Sequence, residues 1–591
     1  LFLIGTFLFG QAKETLSPDQ TLWFTSPAEN WSQQALHIGN GYMGASFYGG
    51  IKRERFDIAE KTFWTGGPHS SPDYNNAIVT GGKDKINEIR KLIIEKEYEK
   101  ADSLCRKHMV GDYSHYGYFS MVGNLYIDFP DNNQPVKEYV RGLDLSTSRG
   151  FVEYTQNDIH YTREYFCSYP DKIMALHFTA NKNNKINFNL SQSLIYPPEK
   201  IEKSKDGLSF IGTIKGNGLN YCIRIKILQE GGIINISNQE IEVKEANQAT
   251  ILYTVDTEYK QEYPSYKGEN PQNNTLDIIQ KAATKKYEKL KHTHISDYQS
   301  LYNRVKLTLT GDKASELLPT DSRIKQLQEG FTDDSSLKTL WFNLSRYLII
   351  SASRPGTLPS TLQGVWNTFE KAPWNGNFQS NINLQEMYWS CGPTRLNECE
   401  KAYIDWIVNL VKPGRITAQE YYGTQGWVSH STGNIWGHTA PGDDILWGLY
   451  PCGAAWHCRH LWEHFSFTHD IDYLKKEAYP VMKEAAIFWL ENLTPYGKHL
   501  IVTPSVSAEH GIELKDGKPI EFSSVNGEVT DQKVFTVPAY QDIEMVYDLF
   551  SNVIDAANTL NIDKEFKERV SIAKDKLYPL KKGKYGQLQE W

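Results

Sequence analysis

The chain has 591 residues, with 63 Lys+Arg against 71 Asp+Glu, a formal net charge of -8 and a pI near 6.1. That balance leaves no phosphate-neutralising surplus for nucleic acid and no basic face for an anionic bilayer, so neither is expected as a partner. Such a length folds as about two to four domains, and its 13% aromatic content, with 15 Trp and 35 Tyr, supplies flat amphipathic rings suited to stacking on sugar faces.

The first element is the apolar run Leu1 to Ala12, which ends in small residues before a polar stretch. Residues 1–12 read as a signal peptide whose beginning is missing, with a buried first strand as the alternative, and imply a secreted or periplasmic protein. The run is too short to span a bilayer. No cysteine closes it, so no lipid anchor is expected.

From Thr21 to about Ala283 the dominant period is two, as in Ile173-Met174-Ala175-Leu176-His177-Phe178 and Tyr221-Cys222-Ile223-Arg224-Ile225-Lys226-Ile227. Residues 17–283 are therefore expected to form an antiparallel β-sandwich. One helix should interrupt it over 84–108, where Ile86, Ile89, Leu92, Ile93 and Ile94 make an apolar stripe. Gly39-Asn40-Gly41-Tyr42-Met43-Gly44 satisfies G-x-G-x-x-G, yet a strand follows where dinucleotide binding needs a helix, so tight turns explain it and no nucleotide cofactor is expected.

Residues 284–320 read as a helical linker. Beyond 321 the pattern predicts helices over 336–353, 397–410, 454–464, 471–493 and 543–560, joined by long Gly- and Trp-rich loops. Such a run suits a helical barrel over 321–591, and no short repeat suggests a solenoid. His460-Leu461-Trp462-Glu463-His464 has the H-x-x-E-H order of a zinc site, and His457 lies one turn earlier. A third ligand motif is missing, so no metal is expected, and a helix lining a polar pocket is the preferred reading. The seven cysteines show no CxxC pair; Cys391 and Cys399 could be bridged or remain free thiols. Ser505 and Ser507 precede His510, but no G-x-S-x-G elbow surrounds them, and turn chemistry accounts for both.

Amides, indoles, imidazoles and one carboxyl gather in the loops between these helices. They comprise Leu362-Gln363-Gly364-Val365-Trp366-Asn367, Pro373-Trp374-Asn375, Asn381-Ile382-Asn383, Gly426-Trp427-Val428-Ser429-His430, Asn434-Ile435-Trp436 and Pro504 to His510. That is the lining expected of a carbohydrate pocket. With Trp23, Trp31, Ile38-Gly39-Asn40-Gly41, Trp64-Thr65-Gly66-Gly67-Pro68, Arg346-Tyr347-Leu348-Ile349, Arg354-Pro355-Gly356 and Gly586-Gln587-Leu588-Gln589-Glu590-Trp591, the sequence resembles glycoside hydrolase family 95 over most of its length.

The resemblance implies an N-terminal β-sandwich, a helical linker, an (α/α)6 barrel and a C-terminal β-domain, the barrel here being incomplete at its C-terminal end. It implies exo-acting release of terminal α-L-fucose or α-L-galactose with inversion, without metal or cofactor. Inversion needs a protonated carboxyl at the leaving oxygen and a water activated on the opposite face. Glu509 matches the family's general acid, with a pKa expected to be raised by its enclosed site, and Asn381 and Asn383 match the amides that position the water. The family's base-completing Asp falls a few residues past the Glu-Trp pair at the end of this chain. Gln379, Trp374, His430, Trp436 and His510 are the expected substrate-binding residues.

Several positions depart from the family pattern. Ala508-Glu509-His510 stands for Pro-Glu-Asn, and Gln385-Glu386-Met387-Tyr388-Trp389 for Gln-Met-Asn-Tyr-Trp. Gln379 occupies the place of His in fucose-acting and Thr in L-galactose-acting members, and could bond a C6 hydroxyl. A non-catalytic glycan-binding relative and a glycoside phosphorylase on the same architecture are the competing readings.

Overall fold

The computed structural model describes residues 16–130, 134–237, 239–309, 313–330, 333–507, 512–515, 518–519 and 532–590. The expected signal segment 1–12 and the candidates Glu509 and His510 lie outside the described residues.

Alternation of apolar and polar residues puts every second side chain on one face of a strand, and two such faces close on each other. Strand Asn220–Glu230 shows this, with Tyr221, Ile223, Ile225 and Ile227 buried between less buried Arg224 and Lys226. It lies in a nine-stranded antiparallel sheet beside Gln248–Thr257, which pairs in turn with Ile173–Ala180. The facing sheet has seven strands and is built around Arg53–Trp64, Phe119–Asp128 and Ile186–Leu194. Between the layers Tyr165 meets Phe47 and Phe56 edge-on, with ring centroids 5.1 and 5.0 Å apart. The G-x-G-x-x-G segment is the turn between strands Leu36–Gly39 and Met43–Phe47, with Gly41 at φ 86°.

Three elements differ from expectation. The helix predicted over 84–108 is two helices, Gly82–Ile94 and Tyr98–His108, broken where Lys96 takes a left-handed φ of 64°. Pro271–Ala283, read as sandwich, is a helix on the outer face of the larger sheet, where Arg224 donates to the Gln272 carbonyl at 3.2 Å and to Thr275 at 3.2 Å. Asn397–Thr417 runs through Pro413 and past the predicted end at Leu410.

The second half is helical, in the (α/α)6 class implied by the sequence. Gly453–Thr468 packs on Asn397–Thr417, Tyr479–Asn492 and Tyr540–Leu560. Polar groups lock this half to the linker helices and to the sandwich. Arg346, buried on helix Ser335–Ala352, donates to the carbonyls of Leu301, Tyr302 and Val305 at 3.2, 2.7 and 3.2 Å, satisfying the open carbonyl end of helix Tyr287–Tyr302. Tyr347 Oη donates to the His37 carbonyl at 2.6 Å, and Trp366 Nε1 to that of Ile38 at 2.8 Å. All seven cysteines are buried free thiols, Cys391 and Cys399 included. Among the described residues no helix is long and apolar enough to cross a membrane.

Candidate active site

A cleft of about 620 Å³ opens between the loops that join the helices, lined by Leu362, Gln363, Trp374, Gln379, Asn381, Ile382, Asn383, Trp456 and Gln541. Four expected site residues, Trp374, Gln379, Asn381 and Asn383, thus meet at one place. Strand Phe378–Gln379 pairs with Thr432–Gly433, and Ser380 N donates to the Ser431 carbonyl at 2.6 Å, fixing the approach to the amides. Gln385 Nε2 then closes onto the Ser380 carbonyl at 2.6 Å as helix Asn383–Tyr388 begins. Asn381, Ile382 and Asn383 span the junction between that strand and that helix.

Trp374 is 73% exposed and sits in a turn whose backbone is left-handed at two successive non-glycine residues, φ 51° at Trp374 and 59° at Asn375. Each costs about 1–2 kcal/mol relative to a right-handed geometry, so neighbours must hold the turn. Gln363 Nε2 donates to the Pro373 carbonyl at 3.2 Å, and Gly376 packs so tightly that a Cβ there would lie 2.7 Å from Phe119 of the sandwich. Gln363 Oε1 is buried with no hydrogen-bond partner among the described residues, an open acceptor on a residue that lines the cleft. None of the described lining residues carries a carboxyl.

Trp456 and Gln541 complete the walls from the first turns of helices Gly453–Thr468 and Tyr540–Leu560, and the sequence reading did not single out either. The available signal was positional, because helices that start at a barrel mouth point their first turns into it. Gln541 fell outside the helix predicted from 543.

The structure does not bring His430 and Trp436 to this cleft. His430 is buried, its Nδ1–H donating to the Thr439 carbonyl at 2.9 Å and its Nε2 accepting from Tyr422 at 2.8 Å. Burial holds its pKa down at about 4, so it is a neutral, fully bonded imidazole. Trp436 is buried at the junction with the sandwich, where Nε1 donates to the Thr65 carbonyl at 3.0 Å and the ring packs on Gly67.

Helix Gly453–Thr468 does line the polar cleft, through Trp456, while its His457, His460 and His464 side chains turn to another helix. Glu400 accepts from Nδ1 of both His460 and His464 at 3.0 Å, and His457 Nδ1 pairs with Tyr403 Oη at 2.6 Å, a buried network between two helices. Among the described residues no cluster of His, Cys, Asp or Glu is arranged to hold a metal. Burial pushes the Glu400 carboxyl up, but the two imidazole hydrogen bonds overcome it and hold the group below its ordinary range. Its stabilising contribution is therefore complete above the unfolded value of about 4.3 and is lost as pH falls through the lower folded value. Glu400→Gln, which leaves one imidazole donor unmatched, should cost about 1–3 kcal/mol in urea unfolding and flatten stability between pH 5 and 3, both checked against the parent chain.

Comparison with known proteins agrees with this architecture. Residues 286–591 match the model of the glycosyl hydrolase family 95 catalytic domain, and residues 22–262 match that of the glycosyl hydrolase family 65 N-terminal domain. A protein named alpha-L-fucosidase 2 from Arabidopsis thaliana is 31% identical over 614 residues, covering 98% of this chain and 70% of that one. A protein described as alpha-fucosidase A from Aspergillus niger is 31% identical over 601 residues, covering 97% and 72%. Among solved structures, a human-microbiome protein described as a kojibiose phosphorylase superposes with a TM-score of 0.61 at 11% identity, covering 97% of this chain and 71% of its own, a likeness of fold. With a catalytic-domain match over half its length, near-complete coverage by these relatives and a cleft walled by the matching motifs, the chain belongs to glycoside hydrolase family 95.

Proposed function

We propose that this chain is an exo-acting, inverting glycoside hydrolase that releases terminal α-L-fucose or α-L-galactose from glycans, secreted or periplasmic where such glycans are met. The observation that carries the reading is the convergence of Gln379, Asn381, Asn383 and Gln363 with the Trp374 indole on one cleft, in a family whose matched relatives are named fucosidases. Amides donate to and accept from sugar hydroxyls without charge, and an exposed indole offers a flat apolar face.

In this mechanism a water held by Asn381 and Asn383 attacks the anomeric carbon opposite the leaving oxygen. The glycosidic C–O bond breaks, Glu509 gives its proton to the departing oxygen, and the proton of the water passes to a base completed by a carboxylate that polarises the amides, since an amide alone does not take a proton at neutral pH. In the family pattern the base-completing Asp follows the Glu-Trp pair that Glu590-Trp591 matches.

Hydrolysis of paired α-L-fucosyl and α-L-galactosyl oligosaccharides, with the first-formed anomer read by NMR, tests the reading. The β-anomer is expected, and glycan binding without turnover would replace the enzyme by a binding protein. Gln379 should tune the choice of sugar. A site that bonds the C6 hydroxyl of L-galactose loses that bond with fucose, whereas a methyl pocket rejects an added hydroxyl only by about 10²-fold. Gln379→Ala should therefore lower the galactoside-to-fucoside ratio of kcat/KM by about tenfold, and an unchanged ratio would remove Gln379 from recognition.

A further inference from the structure

The segment that leads to Glu509 is gripped at alternate residues. At 503, Arg90 from helix Gly82–Ile94 donates through Nε to the Thr503 carbonyl at 3.1 Å, and also reaches the Asn492 carbonyl at 3.1 Å. At 505, the buried hydroxyl of Ser505 donates to Asp542 Oδ2, while the Ser505 carbonyl accepts from Thr536 N at 3.1 Å. At 507, Ser507 Oγ donates to Glu590 Oε1 at 2.8 Å, and the Glu590 carbonyl accepts from Tyr540 N at 2.9 Å. Both carboxylates therefore come from one corner, where helix Tyr540–Leu560 begins beside the cleft-lining Gln541.

Asp542 is the unusual member. It is fully buried, its Oδ1 has no hydrogen-bond partner among the described residues, and burial pushes its pKa up to about 7. An uncompensated carboxyl in such a place weakens the fold. The group is thus expensive as a mere filler, and besides the Cys452 thiol its carboxyl bonds to Ser505, on the segment that leads to Glu509.

We propose that Asp542 is a positioning residue which, through Ser505 and in concert with the Ser507–Glu590 bond, fixes residues 503–507, the segment that runs directly into Glu509 in the sequence. This rests on the reading of Glu509 as general acid. Misplacing a general acid slows substrates whose leaving group needs a proton and spares those whose leaving group departs unaided. Loss of fold would slow both alike.

The test compares a fucosylated oligosaccharide with α-L-fucosyl fluoride for the full chain, Asp542→Leu, Asp542→Asn and the Ser505→Ala/Ser507→Ala pair, each checked for folding by circular dichroism. Asp542→Leu and the serine pair should lose about 10²-fold in kcat on the oligosaccharide but within about threefold on the fluoride. Asp542→Asn, which keeps an acceptor for Ser505, should stay near the parent on both. Equal losses on the two substrates, or no loss on the oligosaccharide in a folded variant, would overturn the proposal. If Asp542→Leu does not fold, the serine pair, which leaves the buried carboxyl in place, decides. Glu509→Gln in the same assay separates the two ideas: if it too lowers both substrates alike, Glu509 is not the acid and the functional reading fails, whatever Asp542 does.

Discussion

Glu509→Gln is expected to lower kcat on a fucosylated or L-galactosylated glycan by about 10²–10⁴-fold, the usual contribution of a general acid, while KM changes little. A glycosidic oxygen leaves as an alcohol, and its departure without a proton creates an alkoxide of high energy. Glutamine preserves the size and one acceptor of glutamate but has no proton to give. The effect carries a pH signature as well. A general acid works in its protonated form, so kcat of the parent should fall as pH rises through the pKa of Glu509, and that alkaline limb should vanish in the variant. A pH profile of kcat with a retained alkaline limb would assign the acid to another group.

The second large effect is structural. Arg323 and Asp334 form an ion pair at 2.8 Å whose side chains are 1% and 0% exposed. Arg323 also donates to Ser336 and to the Pro18 carbonyl at 2.6 Å each, and Asp334 Oδ1 caps helix Ser335–Ala352 by accepting from Leu337 N at 2.9 Å. Removing one partner leaves a buried, uncompensated charge, so Asp334→Ala should cost about 3–5 kcal/mol, read as a lower urea midpoint. Replacing both partners with apolar residues of similar volume should restore much of it. Burial pushes the Asp334 carboxyl up, yet Arg323 and the cap bonds hold it below its ordinary value. The pair's support is thus complete above about pH 3.9 and lost as pH falls through the folded value. An Asp334→Ala midpoint equal to that of the parent would show that the pair contributes nothing net.

Much of the architecture was legible because it is written in periods. The sandwich announced itself in strands such as Asn220–Glu230, where a face is either in or out at every second residue. The helix breaks were harder. Lys96 bends the chain with no glycine or proline to mark it, while Pro413 marks a break that does not occur. At the cleft, Gln379, Asn381 and Asn383 were pointed out by the family resemblance, and because they are neighbours in sequence a junction between a strand and a helix keeps them together in space. His430 and Trp436 lie away from the described lining for the opposite reason. Their partners are Thr439, Tyr422 and Thr65, and no local pattern says that these groups close on them and seal them from the cleft.

The contact between the Leu36–Gly39 hairpin and Gly364-Val365-Trp366 bears on modularity. A Cβ on Gly44 would lie 2.7 Å from both Trp366 Nε1 and Val365 Cγ1, so the two motifs are halves of one joint. The loop that carries Gln363 into the cleft hangs from a sheet outside the helical half. An engineer who grafts the helical half alone onto another scaffold would carry over the amides and leave behind the frame that aims them; the portable unit of this catalyst includes its sandwich.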